Sequence, residues 1–133
     1  MIEDIDHVGI AVGDLETAVE RYRAAYGIEP AHRETVEEQG VEEVLFAVGT
    51  SYIQLLRPLG PETPVGRFFE KRGEGIHHVA YRVRSVREGL DRLRAEGHRL
   101  IDEEPRRGSR GTTIAFVHPK AFDGVLIELV EEG

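Results

Sequence analysis

Two histidines, a glutamine and a glutamate stand at matching places in a chain that states its pattern twice. Residues 5–12 read I-D-H-V-G-I-A-V, and 71 residues later 76–83 read I-H-H-V-A-Y-R-V, which pairs His7 with His78, Val8 with Val79 and Val12 with Val83. Residues 51–59 (S-Y-I-Q-L-L-R-P-L) and 124–131 (G-V-L-I-E-L-V-E) close the two halves. Aligning Ile53-Gln54-Leu55 with Ile127-Glu128-Leu129 keeps the repeat with a three-residue gap. An extended chain sends successive side chains to opposite faces. Val8, Ile10 and Val12 then share one face and His7, Gly9 and Ala11 the other; Val79, Tyr81 and Val83 oppose His78, Ala80 and Arg82. Each histidine points away from the apolar face and has a small same-face neighbour, which leaves space before its imidazole. A lone histidine there reads as a satisfied, half-exposed strand residue, but two at equivalent repeat positions point to a shared task. Gln54 and Glu128 interrupt otherwise apolar strands, where an isolated polar group costs stability unless it is paired or liganded. Each half thus offers one nitrogen and one oxygen donor, a set suited to a borderline or hard divalent metal.

The elements that must position these donors follow from the flanking sequence. Asp14 is a helix N-cap, Leu15, Ala18, Val19, Tyr22 and Tyr26 follow at helical spacing, and Gly27 ends the run. In the second copy Ser85 caps, with Glu88 three residues on, Val86, Leu90 and Leu93 form the apolar stripe, and Gly97 stops it; His98 beyond that stop reads as a solvated loop residue. Each helix leads into three strand-like runs: 28–36, 41–48 and 51–57, then 99–104, 112–118 and 125–130. Turns fall at Gln39-Gly40, Gly49-Thr50, Gly108, Gly111 and Asp123-Gly124. The pattern is βαβββ twice over. Thr63 and Pro64 open a short linker helix closed by Gly73, so one domain of 133 residues is expected from two modules, about 1–60 and 74–133, joined by a helix at about 63–73.

Composition narrows the function classes. The chain is 40% hydrophobic and 32% charged, as in ordinary soluble globular domains. Neither a signal peptide nor a membrane span of ~18 apolar residues is legible. Zero cysteines exclude disulfides and thiolate ligands and fit a cytoplasmic protein. A net charge of −8 argues against nucleic acid or an anionic membrane as the main partner.

Paired βαβββ modules with donors on matching strands resemble the vicinal oxygen chelate superfamily, an α+β fold whose curved mixed sheets form a metal-binding cup. Six segments in order resemble the methylmalonyl-CoA epimerase family within it: residues 5–12, E-Q-G-V-E-E at 38–43, I-Q-L-L-R-P-L at 53–59, G-I-H-H-V-A-Y at 75–81, H-P-K at 118–120 and G-V-L-I-E-L at 124–129. The resemblance covers essentially the whole chain. It implies that His7, Gln54, His78 and Glu128 bind one divalent ion per chain, cobalt by preference, with manganese, nickel, zinc or magnesium as alternatives. It makes Glu43 a general base facing Glu128. By periodicity alone, Glu43 is barely separable from Glu42. A homodimer is implied by the resemblance only.

The implied reaction is epimerisation of (2R)- and (2S)-methylmalonyl-CoA by 1,1-proton transfer through a metal-chelated enolate, with Glu43 and Glu128 as acid and base. The C2 proton lies between a carboxylate and a thioester, and a bidentate substrate would fill the two positions that four protein ligands leave on an octahedral ion. Gln54 in place of a second carboxylate keeps more net positive charge for an anionic enolate. Glu128, as ligand and acid/base together, would be weakened as a base. Arg106, Arg107, Arg110 and Lys120 are candidates for the phosphates of the acyl-CoA substrate and His118 for the pocket lining; a solvated basic loop is the competing reading. Within the fold the alternatives are a glyoxalase I-like lyase, against which Gln54 argues, and a ring-cleaving dioxygenase, for which the chain is short. Outside it stands a metal-free small-molecule-binding module.

Overall fold

The computed structural model describes residues 1–133. In chain order it runs β1 (Ile2–Ala11), α1 (Leu15–Tyr26), β2 (His32–Val36), β3 (Val41–Val48), β4 (Ser51–Pro58), α2 (Pro64–Arg72), β5 (Gly75–Val83), α3 (Val86–Ala95), β6 (Arg106–Arg107), β7 (Thr113–Val117) and β8 (Ile127–Glu131). Each half is βαβββ and the fold is α+β, as the repeat predicts. No helix is long and apolar enough to cross a membrane.

The chain packs as two compact units, Val8–His77 and the combination of Met1–His7 with His78–Gly133. In the first, strands run β2-β3-β4-β1, with β2–β3 and β3–β4 antiparallel. Asp14 accepts from the Thr17 amide as N-cap of α1, and Gly27 closes the helix at φ 65°. Val12, Leu15, Ala18, Val19, Val44, Phe46 and Leu55 form the core between α1 and the strands, while Ala11, Val36, Val41, Leu56 and Val65 form a second core beneath α2. The alternation read along β1 is thereby realised, with Val12 on the α1 side and Ala11 on the other.

In the second unit the strands run β5-β8-β7-β6, β5 parallel to β8 and β8 antiparallel to β7. Ser85 accepts from the Glu88 amide to cap α3. Val83, Val86, Leu90, Ala115, Val117, Ile127 and Leu129 pack on the helix side, and Ala80, Ile114, Phe116 and Val130 on the opposite face.

Two expected strands differ from those observed. Residues 99–104 make only an isolated bridge, Leu100 to Val117, and the paired strand is β6 beyond Pro105. The amides of Ile101 and Asp102 both reach the Phe116 carbonyl at 3.1 Å, and the Asp102 carboxylate takes the Phe116 amide at 2.8 Å. A side chain thus replaces the ladder, and Pro105 restricts the residue before it. At residues 28–31 the strand starts late because Pro30 brings no amide, and regular pairing begins at His32. His98 is not simply solvated: it is half-buried with its ring 4.7 Å from that of Phe122.

Candidate active site

Three of the four predicted donors converge. His7 comes from β1, His78 from β5 and Glu128 from β8, all with 4% exposure. The two imidazoles approach Nε2 to Nε2 at 2.9 Å, and Glu128 Oε1 lies 3.0 Å from each Nε2. An octahedral ion with bonds of about 2.1 Å presents ligand edges of about 3.0 Å, so this triangle has the dimensions of one coordination face. The donor types, two imidazoles and a carboxylate, fit a borderline or hard divalent cation.

Glu128 reaches this point because Val79 and Ala80 of β5 stand opposite Ile127 and Glu128 of parallel β8. Phe116 closes one side, its ring 5.6 Å from that of His78. His7 stands on the β1 face opposite the α1 core and His78 on the β5 face opposite the α3 core, as the alternation requires.

The electrostatics are those of a proton shared within a group of donors that could hold a cation. Burial opposes charge on His7, but the Glu128 carboxylate and the hydrogen bond to Asp6 outweigh it and raise its pKa from 6.5 to about 9. Burial likewise penalises the Glu128 carboxylate, yet the charge of His7 and hydrogen bonds from both imidazoles hold it well below the usual range. His78 is pushed down, first by burial and then by the neighbouring His7, with only partial relief from Glu128.

The other predicted pair lies in the unit Val8–His77. Glu43 is 1% exposed and Gln54 5%, and Gln54 Nε2 donates to Glu43 Oε1 at 3.1 Å. The β3–β4 register places Leu45 opposite Gln54 and Glu43 opposite Leu56, which makes Glu43 and Gln54 diagonal neighbours on one face. The Gln54 Oε1 is buried without a hydrogen-bond partner. Leaving a buried acceptor unmet costs about 1–3 kcal/mol, so this oxygen suits a ligand. Glu42 takes a different course, half-buried and paired with Arg57 at 3.1 Å and Arg33 at 3.5 Å.

The basic candidates are scattered in role. Arg106 bonds Asp102 at 3.2 Å and lies over the Phe116 ring at 5.4 Å. Arg107 and Lys120 are exposed. His118 accepts the Lys120 amide at 3.0 Å. Arg110 turns inward and donates to Asp6 Oδ2 at 2.8 Å.

Asp6 is the residue that sequence reasoning missed. Fully buried, it accepts from His7 Nδ1 at 2.7 Å, from Arg82 at 2.9 Å and from Arg110. Burial works against its charge, but His7, Arg110 and Arg82 prevail and lower its pKa. The one local signal was an acidic residue directly beside a candidate ligand.

A repeated βαβββ pattern and a buried His–His–Glu cluster define a protein of the vicinal oxygen chelate class. The chain belongs to the Glyoxalase/Bleomycin resistance protein/Dioxygenase superfamily, whose family model matches residues 6–116. Within that superfamily it is similar to methylmalonyl-CoA epimerases. An ethylmalonyl-CoA/methylmalonyl-CoA epimerase of Cereibacter sphaeroides is 39% identical over 97% of this chain and 98% of its own. A structure of a methylmalonyl-CoA epimerase in complex with methylmalonyl-CoA and NH4+ is 45% identical with a TM-score of 0.97, covering 100% of this chain and 96% of that one. A variant of the Streptomyces coelicolor epimerase in complex with 2-nitronate-propionyl-CoA is 44% identical, also at 0.97, over 100% and 96% of the two chains.

Proposed function

We propose that this chain is a metal-dependent methylmalonyl-CoA epimerase that interconverts the (2R) and (2S) thioesters by 1,1-proton transfer. The carrying observation is the buried triangle of His7 Nε2, His78 Nε2 and Glu128 Oε1 with edges of 2.9–3.0 Å. It occurs in a chain whose full-length relatives are named epimerases. His7, His78, Glu128 and the amide oxygen of Gln54 hold the ion, with cobalt as the expected metal. When bound, a divalent cation supplies Lewis-acid stabilisation for negative charge developing on the thioester oxygen.

Glu43 takes the C2 proton. Its carboxylate is shielded from water and fixed by the Gln54 amide donor, so orientation is set before substrate arrives. The electron pair left by the departing proton delocalises toward the thioester oxygen, and a proton returned to the other face of C2 completes the inversion. Glu128 is the second acid/base group. Because the imidazoles hold its carboxyl low, it gives up a proton readily and takes one up poorly, and Glu43 carries the heavier share as base.

The phosphates of coenzyme A are assigned to the exposed cations near the turns of the second half, Arg107 and Lys120, with Arg106 and His118 beside them. The Gln54 amide favours the epimerase over a glyoxalase I-like lyase, since a carboxylate there would meet Glu43 as a like charge. A homodimer and a cytoplasmic location complete the reading; size-exclusion chromatography with light scattering tests the former.

Proton exchange provides the decisive test. Either epimer of methylmalonyl-CoA in D2O should lose its C2 proton signal and yield the other epimer with cobalt-restored protein, and neither should occur after chelation. Glu43→Gln should slow exchange by roughly 100-fold or more while leaving cobalt stoichiometry intact. Stoichiometric cobalt with no C2 exchange would retire the epimerase reading.

A further inference from the structure

His7 has two ring nitrogens, and only one faces the ligand point. Its Nδ1 lies 2.7 Å from Asp6 Oδ2, and the same oxygen accepts Arg110 Nη2 at 2.8 Å. The second oxygen, Oδ1, accepts Arg82 Nε and Nη2, both at 2.9 Å. Those four donors fill the acceptor capacity of a carboxylate. A carboxylate so surrounded can only accept, so Nδ1 carries the proton and Nε2 is directed at His78 and Glu128.

The supports of Asp6 come from two separate places. Arg82 lies on β5, four residues beyond His78 on the same face. Arg110 stands in the turn Ser109–Gly111 with φ 57° and ψ 25°, a left-handed conformation rarely adopted by side-chain-bearing residues. A glycine would hold that backbone without strain. The turn therefore keeps an arginine at a position whose backbone favours glycine, and the side chain it keeps is spent on buried Asp6.

We propose that Asp6 is a positioning residue for His7, clamped by Arg82 and Arg110, and that the Ser109–Gly111 turn thereby sets the affinity of the metal centre. This rests on the reading of His7 as a metal ligand. Carboxylate partners of ligating histidines fix the tautomer and ring orientation, and their loss typically weakens metal binding 10–100-fold.

Three proteins decide it: wild type, Asp6→Asn and Arg110→Gly. Cobalt affinity is measured by competition with a chromophoric chelator. The His7 Nδ1–H is followed by 15N NMR of the zinc-loaded forms, a signal that a merely structural role would not move. Asp6→Asn should weaken cobalt binding about 10–100-fold and lose exchange protection of the Nδ1–H. Arg110→Gly should weaken cobalt binding severalfold while the chain stays folded by circular dichroism, since glycine suits the backbone there. If wild type binds cobalt and both variants stay within twofold of it, the positioning role is wrong and the metal reading stands. If only Asp6→Asn weakens binding, the share given to the turn is wrong. If wild type binds no cobalt, the metal reading falls and the inference with it. Should Asp6→Asn fail to fold, Arg110→Gly and the wild-type spectrum decide, and a zinc-loaded His7 protonated on Nε2 would overturn the proposal.

Discussion

At the scale of single residues the site is organised by what each buried atom can share. His7, His78 and Glu128 place three donor atoms at about hydrogen-bond distance from one another, and in the metal-free chain His7 holds the proton, with a pKa raised to about 9. A cation binding at that point must displace it. Cobalt affinity should therefore rise about tenfold per pH unit between pH 7 and 9 and level off above. At pH 7.5 binding should release about one proton, read by calorimetry in buffers of different ionisation enthalpy. Affinity that does not change across this range would mean that His7 is not the group displaced.

At the scale of elements, α2 depends on one close approach. Thr63 caps it by accepting from the Gly66 amide at 3.0 Å, while its own hydroxyl donates to the Gly60 carbonyl at 2.8 Å. A Cβ at position 66 would stand 2.1 Å from that same carbonyl oxygen, and backbone cannot yield as a flexible side chain would. Gly66→Ala should destabilise the fold by roughly 3 kcal/mol, the upper end for overpacking. Val65 would then leave its place with Ala11, Val36, Val41 and Leu56. Chemical denaturation reads the loss, and a change below 0.5 kcal/mol would show that the turn before α2 shifts freely.

For the whole molecule, the proposed metal site predicts that stability rises with metal content. Cobalt held at about 100 times its Kd should stabilise the native state by about 2.7 kcal/mol. For a chain of this size that raises Tm by roughly 10 °C. Without metal the pH dependence has a definite sign. A pKa raised from 6.5 unfolded to about 9 folded for His7 gives stability that is fully present below pH 6.5 and is lost as pH rises through 9, on the order of 3 kcal/mol in all. The lowered Glu128 works oppositely, its share being lost as pH falls below the usual carboxylate range. Metal-free protein should melt at its highest temperature near pH 5–6 on these two groups. Scanning fluorimetry across pH checks this, and a Tm that climbs from pH 7 to 9 would contradict the charge assigned to His7.

Much of this was fixed by short-range rules. Alternation along β1 and β5 put His7 and His78 on the face away from α1 and α3, because a strand's period is two wherever it forms. Asp14, Gly27, Thr63 and Ser85 marked the helix ends, since capping is settled within one turn of chain. The repeat located Gln54 and Glu128 without any contact being known. What depended on distant pairing was not legible. Glu43 and Glu42 have the same local claim to a role. The β3–β4 register made Glu43 the buried diagonal neighbour of Gln54, and the adjacent strands β2 and β4 gave Glu42 to Arg33 and Arg57. Residues 99–104 had the look of a strand, but the Asp102 side chain took the bond that a ladder would have made. Asp6 gained its meaning only from Arg82 and Arg110, which lie 76 and 104 residues away. Local period decides which way a side chain points; what it meets there is decided by tertiary packing, which brings together residues that no local spacing relates.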